Sequence, residues 1–421
     1  MLQMSQYADT SLAAAQPYPV RHFLFLQGLP GPFFRKLADA LRAGGHRTSR
    51  INFNGGDMWD WRGSGATGFR GDIAAFPAWF DDYLSGSDIS DVVLFGDNRP
   101  LHLQAIAICR QRAIRVFVVE EGMLRPNFVS FEQGGTNYWS SLPRDLDQLR
   151  RIADDHEDEP VDPVTSNVRR RIVEAVGYYV VQTLTIPFFP HYRSHRRNAP
   201  VGEMWAWIRR RAGRGREDAA SSAAVSAVID SRFFLFPMQL DGDHQIDSHS
   251  DFPDMASAID CVFHSFAVHA PRATKLLVKM HPFDPDLDGW RADVMDRASR
   301  YGIADRVYFI ERFDLAPLLQ KAAGVVTINS TVGPLALEQA CPVFCLGRAA
   351  YDIPGVTAQC GLERFWDEPP PVDADNFELM CCAMRATALV NGGFHDPKAL
   401  DMLVAGAVRR LTGQAFASPA A

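Results

Sequence analysis

The sequence predicts an α/β protein made of two Rossmann-like domains that face one another across a central cleft. Three observations carry this. Short apolar runs alternate with stretches of helical spacing from residue 20 onward, and the same alternation restarts near residue 229; such alternation builds a parallel sheet with helical crossovers. Successive runs in the first half end in clusters of polar residues, which lines those clusters along one crevice at the C-terminal edge of the strands. Between the halves lies a segment of quite different composition. The expected divisions are a disordered lead-in (1–19), a first domain (20–165), a basic, aromatic and helical connector (166–228), a second domain (229–375) and a helical tail (376–421).

In the first half, His22 to Leu26 is an apolar run, Gln27-Gly28-Leu29-Pro30-Gly31-Pro32 a tight loop, and Phe33 to Ala43 a helix closed by Gly44-Gly45. His46 to Phe53 returns as a strand. The glycines of this βαβ unit let backbone N–H groups approach a ligand, but a full G-x-G-x-x-G is absent and a dinucleotide site does not follow. Asn54 to Gly71 reads as a loop whose Asp57, Trp59, Asp60 and Trp61 suit an exposed sugar-binding rim, or a loop packed on itself. Asp91 to Phe95 is the third strand and runs into Gly96-Asp97-Asn98-Arg99-Pro100-Leu101-His102; Leu101 to Gln111 is helical.

Arg115 to Glu120 is the fourth strand, and its sequel VFVVEEGMLRPNFVSFEQGGTN (from Val116) holds the densest polar chemistry. A β-branched run buried on both faces ends at Glu120, Glu121 and Gly122. Two carboxylates there are costly to place unless they face a cleft; a solvated turn with a helix-capping acid is the plain alternative. Successive strand side chains point opposite ways, so one of the pair reaches a reacting centre and the other caps a helix or braces Arg125. Gln27, Gly28, Asp97, Arg99, His102 and Arg125 fall along the same edge, and the cations among them suit an acidic sugar or a phosphate.

The 421 residues carry a net charge of −7, which argues against a nucleic-acid binder. Seven scattered cysteines fit reduced core residues rather than a disulfide scaffold. The N-terminus has no signal-peptide pattern, and no run of 18 apolar residues spans a membrane. Against that acidic background, residues 169–216 hold eleven arginines and no lysine with two acids, Glu174 and Glu203, a local charge of +9. With the apolar stretch Val176 to Phe189 and the pair Trp205 and Trp207, this suits the surface of an anionic bilayer, with Arg209, Arg210 and Arg211 as its contact. A solvated connector is the alternative.

After a small-residue linker, Asp218 to Ala227, the second half sets out strands at Phe233–Gln239, Lys275–Met280, Val307–Ile310, Gly324–Ile328 and Pro342–Leu346. Helices fall at Met255–His269, Trp290–Tyr301, Leu315–Ala322 and Pro334–Ala340, with two more in the tail at Phe377–Val390 and Ala399–Leu411. The polar loop from Asp241 to Ser250 lacks the spacing of a metal site, and no metal is expected. Lys279, His281 and Pro282 follow one strand. Asn329, Ser330, Thr331 and Gly333 follow another, where hydroxyls, free N–H groups and a helix dipole favour a phosphate over simple N-capping.

Taken in order, FLQGLPGPFFRKLADAL, RINFNGGDMWDW, DNRPLHLQA, EEGMLRPNFVSFEQGGTN, DHQIDSHS, KMHP, NST and YDIPG resemble the capsular polysaccharide biosynthesis and export family of the KpsS/LipB type over about residues 20 to 375. The Glu-Glu-Gly, His-Pro and Ser-Thr motifs are also similar to those of GT-B sialyltransferases. The Arg-rich segment 193–216 departs from the family's motifs. The resemblance implies a GT-B fold and transfer of Kdo with retention of configuration, whereas the sialyltransferases invert, so the shared motif does not decide between a base and a nucleophile. It implies CMP-Kdo as donor substrate and no cofactor, a phosphatidylglycerol-type lipid as acceptor, and a cytoplasmic, peripheral place on the inner membrane beside other capsule proteins. By that resemblance His281, Lys279, Ser330 and Thr331 stabilise the leaving CMP phosphate. Glu120 or Glu121 serves the acceptor as general base or nucleophile, Glu120 being favoured. A non-catalytic export scaffold and a UDP- or GDP-hexose transferase are the competing readings.

Overall fold

The computed structural model describes residues 19–156, 160–194, 200–240, 250–287 and 289–413. The lead-in and the polar loop 241–249 lie outside these residues, as do the side chains of Trp205 and Trp207.

The first sheet contains β1 (His22–Phe25), β2 (Arg47–Asn52), β3 (Ala66–Gly68), β4 (Asp91–Phe95), β5 (Arg115–Glu121) and β6 (Phe128–Gln133), with β12 (Leu389–Asn391) contributed by the tail. Its order is β12-β6-β5-β4-β1-β2-β3. The five strands from β3 to β5 are parallel; β6 runs antiparallel to both β5 and β12. The second sheet, β11-β10-β7-β8-β9, is wholly parallel and uses β7 (Phe233–Pro237), β8 (Lys275–Lys279), β9 (Val307–Ile310), β10 (Gly324–Thr327) and β11 (Val343–Cys345). In chain order both sheets follow the 3-2-1-4-5 arrangement of a doubly wound fold, whose ligands sit beyond the C-terminal strand ends. The protein is thus an α/β structure of two Rossmann-like domains, of the GT-B type.

Apolar strand runs are explained by burial on both faces. In β5, Val116 and Val118 join the core beneath α3 (Phe76–Ser85) and α4 (Pro100–Gln111). Phe117 and Val119 join the opposite core, shared with α1 (Phe33–Ala43) and the last helix, Pro397–Thr412. That tail helix and β12 pack into the first domain, although the chain reaches them only after the second. The expected helix Phe377–Val390 ends at Thr387 for this reason, and Leu389 and Val390 become strand.

Two expected irregular segments are helical. Asn54 to Gly71 contains α2 (Gly55–Trp61), capped by the Asn54 side chain accepting from the Asp57 N–H, and also β3. Trp59 is exposed, but Trp61 is buried in the core, so the pair forms no rim. The linker Asp218 to Ala227 is the end of a 29-residue helix, α7 (Pro200–Val228). The glycines of α2 have a steric cause. A Cβ on Gly55 would lie 1.8 Å from the Thr185 hydroxyl, and one on Gly56 would lie 2.7 Å from the Tyr178 ring. They let α6 (Val168–Leu184) lie directly on α2. α3, β6 and α5 (Leu146–Asp154) are elements that the sequence reading did not resolve.

Candidate active site

β5 does not stop at Glu120; it runs through Glu121, with the two residues paired to Ser130 and Val129 of β6. Gly122 then permits the return, since a Cβ there would fall 2.1 Å from the Phe128 carbonyl oxygen. The alternation along β5 separates the two carboxylates, one to each face of the sheet.

Glu120, half-buried, accepts from the Thr136 hydroxyl at 2.8 Å. Thr136 also directs its N–H, at 2.9 Å, and its hydroxyl, at 3.4 Å, to Asp97. Asp97 is buried, and burial raises its carboxyl above the usual range. It braces the Thr136 loop behind Glu120. Glu132 on β6 is buried too and accepts from Ser140; burial, with Asp97 adding to it, pushes Glu132 up to about 7.

Glu121 lies on the other face, between Arg125 at 3.1 Å and Arg171 of α6 at 2.6 Å. Burial alone would raise its pKa, but Arg125 and then Arg171 outweigh that and hold it below the usual value. Arg171 also stacks on Phe283 of the second domain, with its guanidinium carbon 4.7 Å from the ring centre. The connector helix therefore ties the Glu121 end of β5 to the loop that follows β8.

That loop carries His281, half-buried, whose Nδ1 accepts from the Phe283 N–H at 3.2 Å. Burial first, then Lys279, Arg125 and Arg171, push His281 down to about 4, while Glu121 opposes them. The imidazole is therefore neutral near pH 7 and offers a hydrogen bond rather than a fixed charge. Lys279 is buried with its ammonium 3.5 Å from the Met280 carbonyl, and burial and Arg210 lower its pKa. Pro282 is exposed beside it.

Arg209, Arg210 and Arg211 do not form a common surface. Arg210 is buried and donates to the Asp284 carbonyl, with Glu217 3.8 Å from its Nε. It holds the loop beyond His281 and cannot touch a membrane. Arg209 is exposed but donates to the Asp286 carbonyl at 3.3 Å, on the same loop; Arg211 is exposed.

The remaining first-domain residues are mostly scaffolding. Gln27 is buried and donates to the hydroxyls of Tyr178 and Tyr192, each at 3.0 Å. Gly28 gives its carbonyl to Arg99 at 3.0 Å. His102 is buried against the Gly96 carbonyl at 2.7 Å, and burial, then Arg99, hold it at about 3. It is a neutral support for its turn and brings no charge to an anion, because burial and then Arg99 disfavour its protonated form. Arg99 reaches a cavity of about 90 Å³ together with Phe53, Phe69, Ile73, Tyr192 and Arg193.

At the second-domain site, Asn329 forms a reciprocal pair with Gln239. Its side-chain oxygen accepts at 2.7 Å and its N–H donates at 3.1 Å. Ser330 accepts from the Val332 N–H at 3.2 Å, as a capping residue does, and its carbonyl takes the Tyr351 hydroxyl at 2.6 Å. Thr331 stands at the N-cap of the helix Val332–Glu338 without a side-chain capping bond. A Cβ on Gly333 would lie 2.4 Å from the Tyr351 hydroxyl, so that glycine makes room for the tyrosine. Thr136, Arg171, Tyr178 and Tyr192 were not distinguished in the sequence, and Arg210 was expected at a membrane; only their packing reveals these roles.

Residues 90–395 match the family described as capsule polysaccharide biosynthesis protein. The chain is 34% identical over 349 residues to the capsule polysaccharide export protein KpsS of Escherichia coli, covering 82% of this chain and 90% of that protein. It is also 34% identical over 385 residues to the capsule polysaccharide modification protein LipB of Neisseria meningitidis serogroup A, covering 89% and 92%. Among solved structures, KpsC of Thermosulfurimonas dismutans, described as a beta Kdo 2,7 transferase, aligns at a TM-score of 0.45 and 13% identity over 91% of this chain and 99% of that one. On the strength of the matched family and of these two relatives, the chain belongs to the capsule polysaccharide biosynthesis family that includes KpsS and LipB.

Proposed function

We propose that the protein is a glycosyltransferase that moves Kdo from CMP-Kdo onto a phosphatidylglycerol-type lipid, starting the β-Kdo linker of a capsular polysaccharide. It works on the cytoplasmic face of the inner membrane, in company with other capsule proteins, and needs no cofactor. The single observation that supports this most is the meeting of Glu121, next to Glu120 at the end of β5, with His281 across the two domains, through Arg171 and Arg125. A CMP-activated acidic sugar carries a phosphate and a carboxylate, and the cations Arg125, Arg171 and Lys279 around His281 match that charge.

In this reading the bond between the anomeric carbon and the phosphate oxygen breaks, and CMP leaves with the electron pair. A ring N–H of the neutral His281 donates to the departing phosphate, and Lys279 and Arg171 stabilise its charge. Glu120 takes the acceptor hydroxyl's proton as the new bond forms if configuration is inverted. If it is retained, Glu120 first bonds the anomeric carbon as CMP leaves, and the acceptor oxygen then displaces it, the carboxylate departing with the bonding pair and the hydroxyl proton passing to the CMP phosphate. Retention, which the family relation favours, calls for the second of these. Glu121 keeps the two arginines in place.

The test is to incubate the purified chain with CMP-Kdo and a fluorescent phosphatidylglycerol and to analyse the lipid by mass spectrometry. A product one Kdo heavier is expected. Transfer from a UDP- or GDP-hexose instead would replace this donor assignment, and CMP binding without any transfer would favour the export scaffold.

A further inference from the structure

α6 turns an apolar face outward, although its inward face is already packed and hydrogen-bonded. Tyr178 marks the inward face, buried against α2 and hydrogen-bonded to Gln27, Asn54 and Asp57. On the opposite face Ile172, Val173, Val176, Val180 and Leu184 follow one another at helical spacing, and each is more than half exposed. Ile186 and Phe188 continue the apolar surface past the helix end, also more than half exposed. Exposed Trp59 of α2 lies alongside, 4.0 Å from the position a Cβ on Gly177 would take. A surface helix normally turns charge to water on this side, and a contiguous apolar patch of this kind marks an interaction surface.

We propose that this outward face of α6, and not the Arg209–Arg211 triplet, is the surface that lies on an anionic phospholipid bilayer. The inference rests on the reading of a lipid acceptor and specifies where that lipid's membrane is met. Charge selects the occupant. From Val168 to Ser194 the chain carries Arg169, Arg170, Arg171 and Arg193 against one acid, Glu174. That acid is engaged on the inward side by Arg170 and His395. Arg169, on the outward face, and Arg193, beyond its end, are exposed. A second copy of the chain would set two arginine-bearing faces against each other, whereas anionic headgroups meet the arginines while the valines and leucine enter the acyl boundary. The chain leaving this surface, His191 to Ser194, lines the cavity that Arg99 reaches at the C-terminal edge of the first sheet. A headgroup in the bilayer thus has a cationic, partly apolar recess beside the docking face.

The experiment is co-sedimentation with vesicles of phosphatidylglycerol and phosphatidylcholine, comparing the wild type with a V173D/V180D double variant. Both side chains are more than half exposed, so the melting temperature of the variant should match the wild type. Its partition coefficient should fall by about tenfold or more, because two apolar side chains no longer leave water and two like charges oppose the headgroups. In high salt the wild type should retain part of its binding, which is the apolar share. Equal partition of variant and wild type overturns the proposal, as does wild-type binding that vanishes in high salt. A dimer of the wild type that the same variant dissociates also overturns it, in favour of a second copy on this face. Nucleotide sugar is absent from the measurement, so its failure is distinct from failure of the transferase reading. Vesicle binding as expected without Kdo transfer would leave the docking face standing and remove that reading.

Discussion

The separation of Glu120 from Glu121 by one residue of strand should translate into opposite mutational phenotypes. Glu120→Gln keeps an acceptor oxygen for the Thr136 hydroxyl and relieves the charge near Asp97, so folding should change by no more than about 0.5 kcal/mol. Transfer should nevertheless fall by about 10²-fold or more, about 2.7 kcal/mol of barrier, the scale expected when a reacting carboxylate is lost. Glu121→Gln removes ion pairs to Arg125 and Arg171 whose side chains are 41% and 38% exposed. Solvent screening limits each such pair to about 1 kcal/mol or less, and release of a partly buried charge offsets some of the loss. Its carboxyl is held below the usual value, so what it contributes is present above the unfolded pKa and fades as pH falls through the folded one. The assays are thermal melts at neutral and mildly acidic pH beside initial rates with CMP-Kdo. The reasoning is refuted if Glu120→Gln keeps full turnover, or if Glu121→Gln loses as much turnover with an unchanged melting curve.

CMP should stabilise the protein by about 2.7 kcal/mol at 100 times its Kd, and UDP should do so less at equal concentration; equal shifts in differential scanning fluorimetry would argue against the donor. A phosphate bound beside His281 raises its pKa above about 4, so the complex takes up protons. Affinity in the wild type should then rise, relative to His281→Ala, as pH is lowered from 7 toward 5; calorimetric titrations with parallel pH slopes would disprove it. Glu132 is raised from 4.5 to about 7, so the folded state binds its proton more tightly and stability is lost as pH rises across that window. Glu132→Gln should accordingly stabilise by about 1–3 kcal/mol at pH 8 and by little near pH 4, read from denaturant melts at the two pH values.

Both sheets were legible because parallel strands are buried on both faces and write continuous apolar runs. Asp91–Phe95 and Val307–Ile310 fall where the sequence sets them, as do the helices Phe33–Ala43 and Met255–His269. The failures have particular causes. Gly55-Gly56 reads as loop because glycine is a poor helix former, yet there it admits Thr185 and Tyr178 from a helix far away in sequence. Leu389-Val390 continues a helical spacing, and only pairing with β6, more than 250 residues earlier, makes it strand. The alanines of 218–227 favour helix, but the same small residues also suit a linker, and only α7's packing decides. In the site, the pairing of Glu121 with Arg125 follows from local spacing. Burial of Arg210 and the reach of Arg171 to Phe283 do not, since arginine clusters look alike until packing sorts them.

The return of the tail to the first domain has a consequence for how the protein is made. Phe23, Phe25 and Leu37 share their core with Leu400, Leu403, Val404, Ala407 and Leu411. The N-terminal sheet therefore emerges first, with α1 covering part of this face, while the rest waits for the tail helix. The second sheet draws its strands from 233–345, yet its cores also take Phe365 and Trp366 on one face and Met380, Cys381 and Met384 on the other, so it too is completed late. The helices near the end of the chain therefore complete both domains, and losing them would open an apolar face in each.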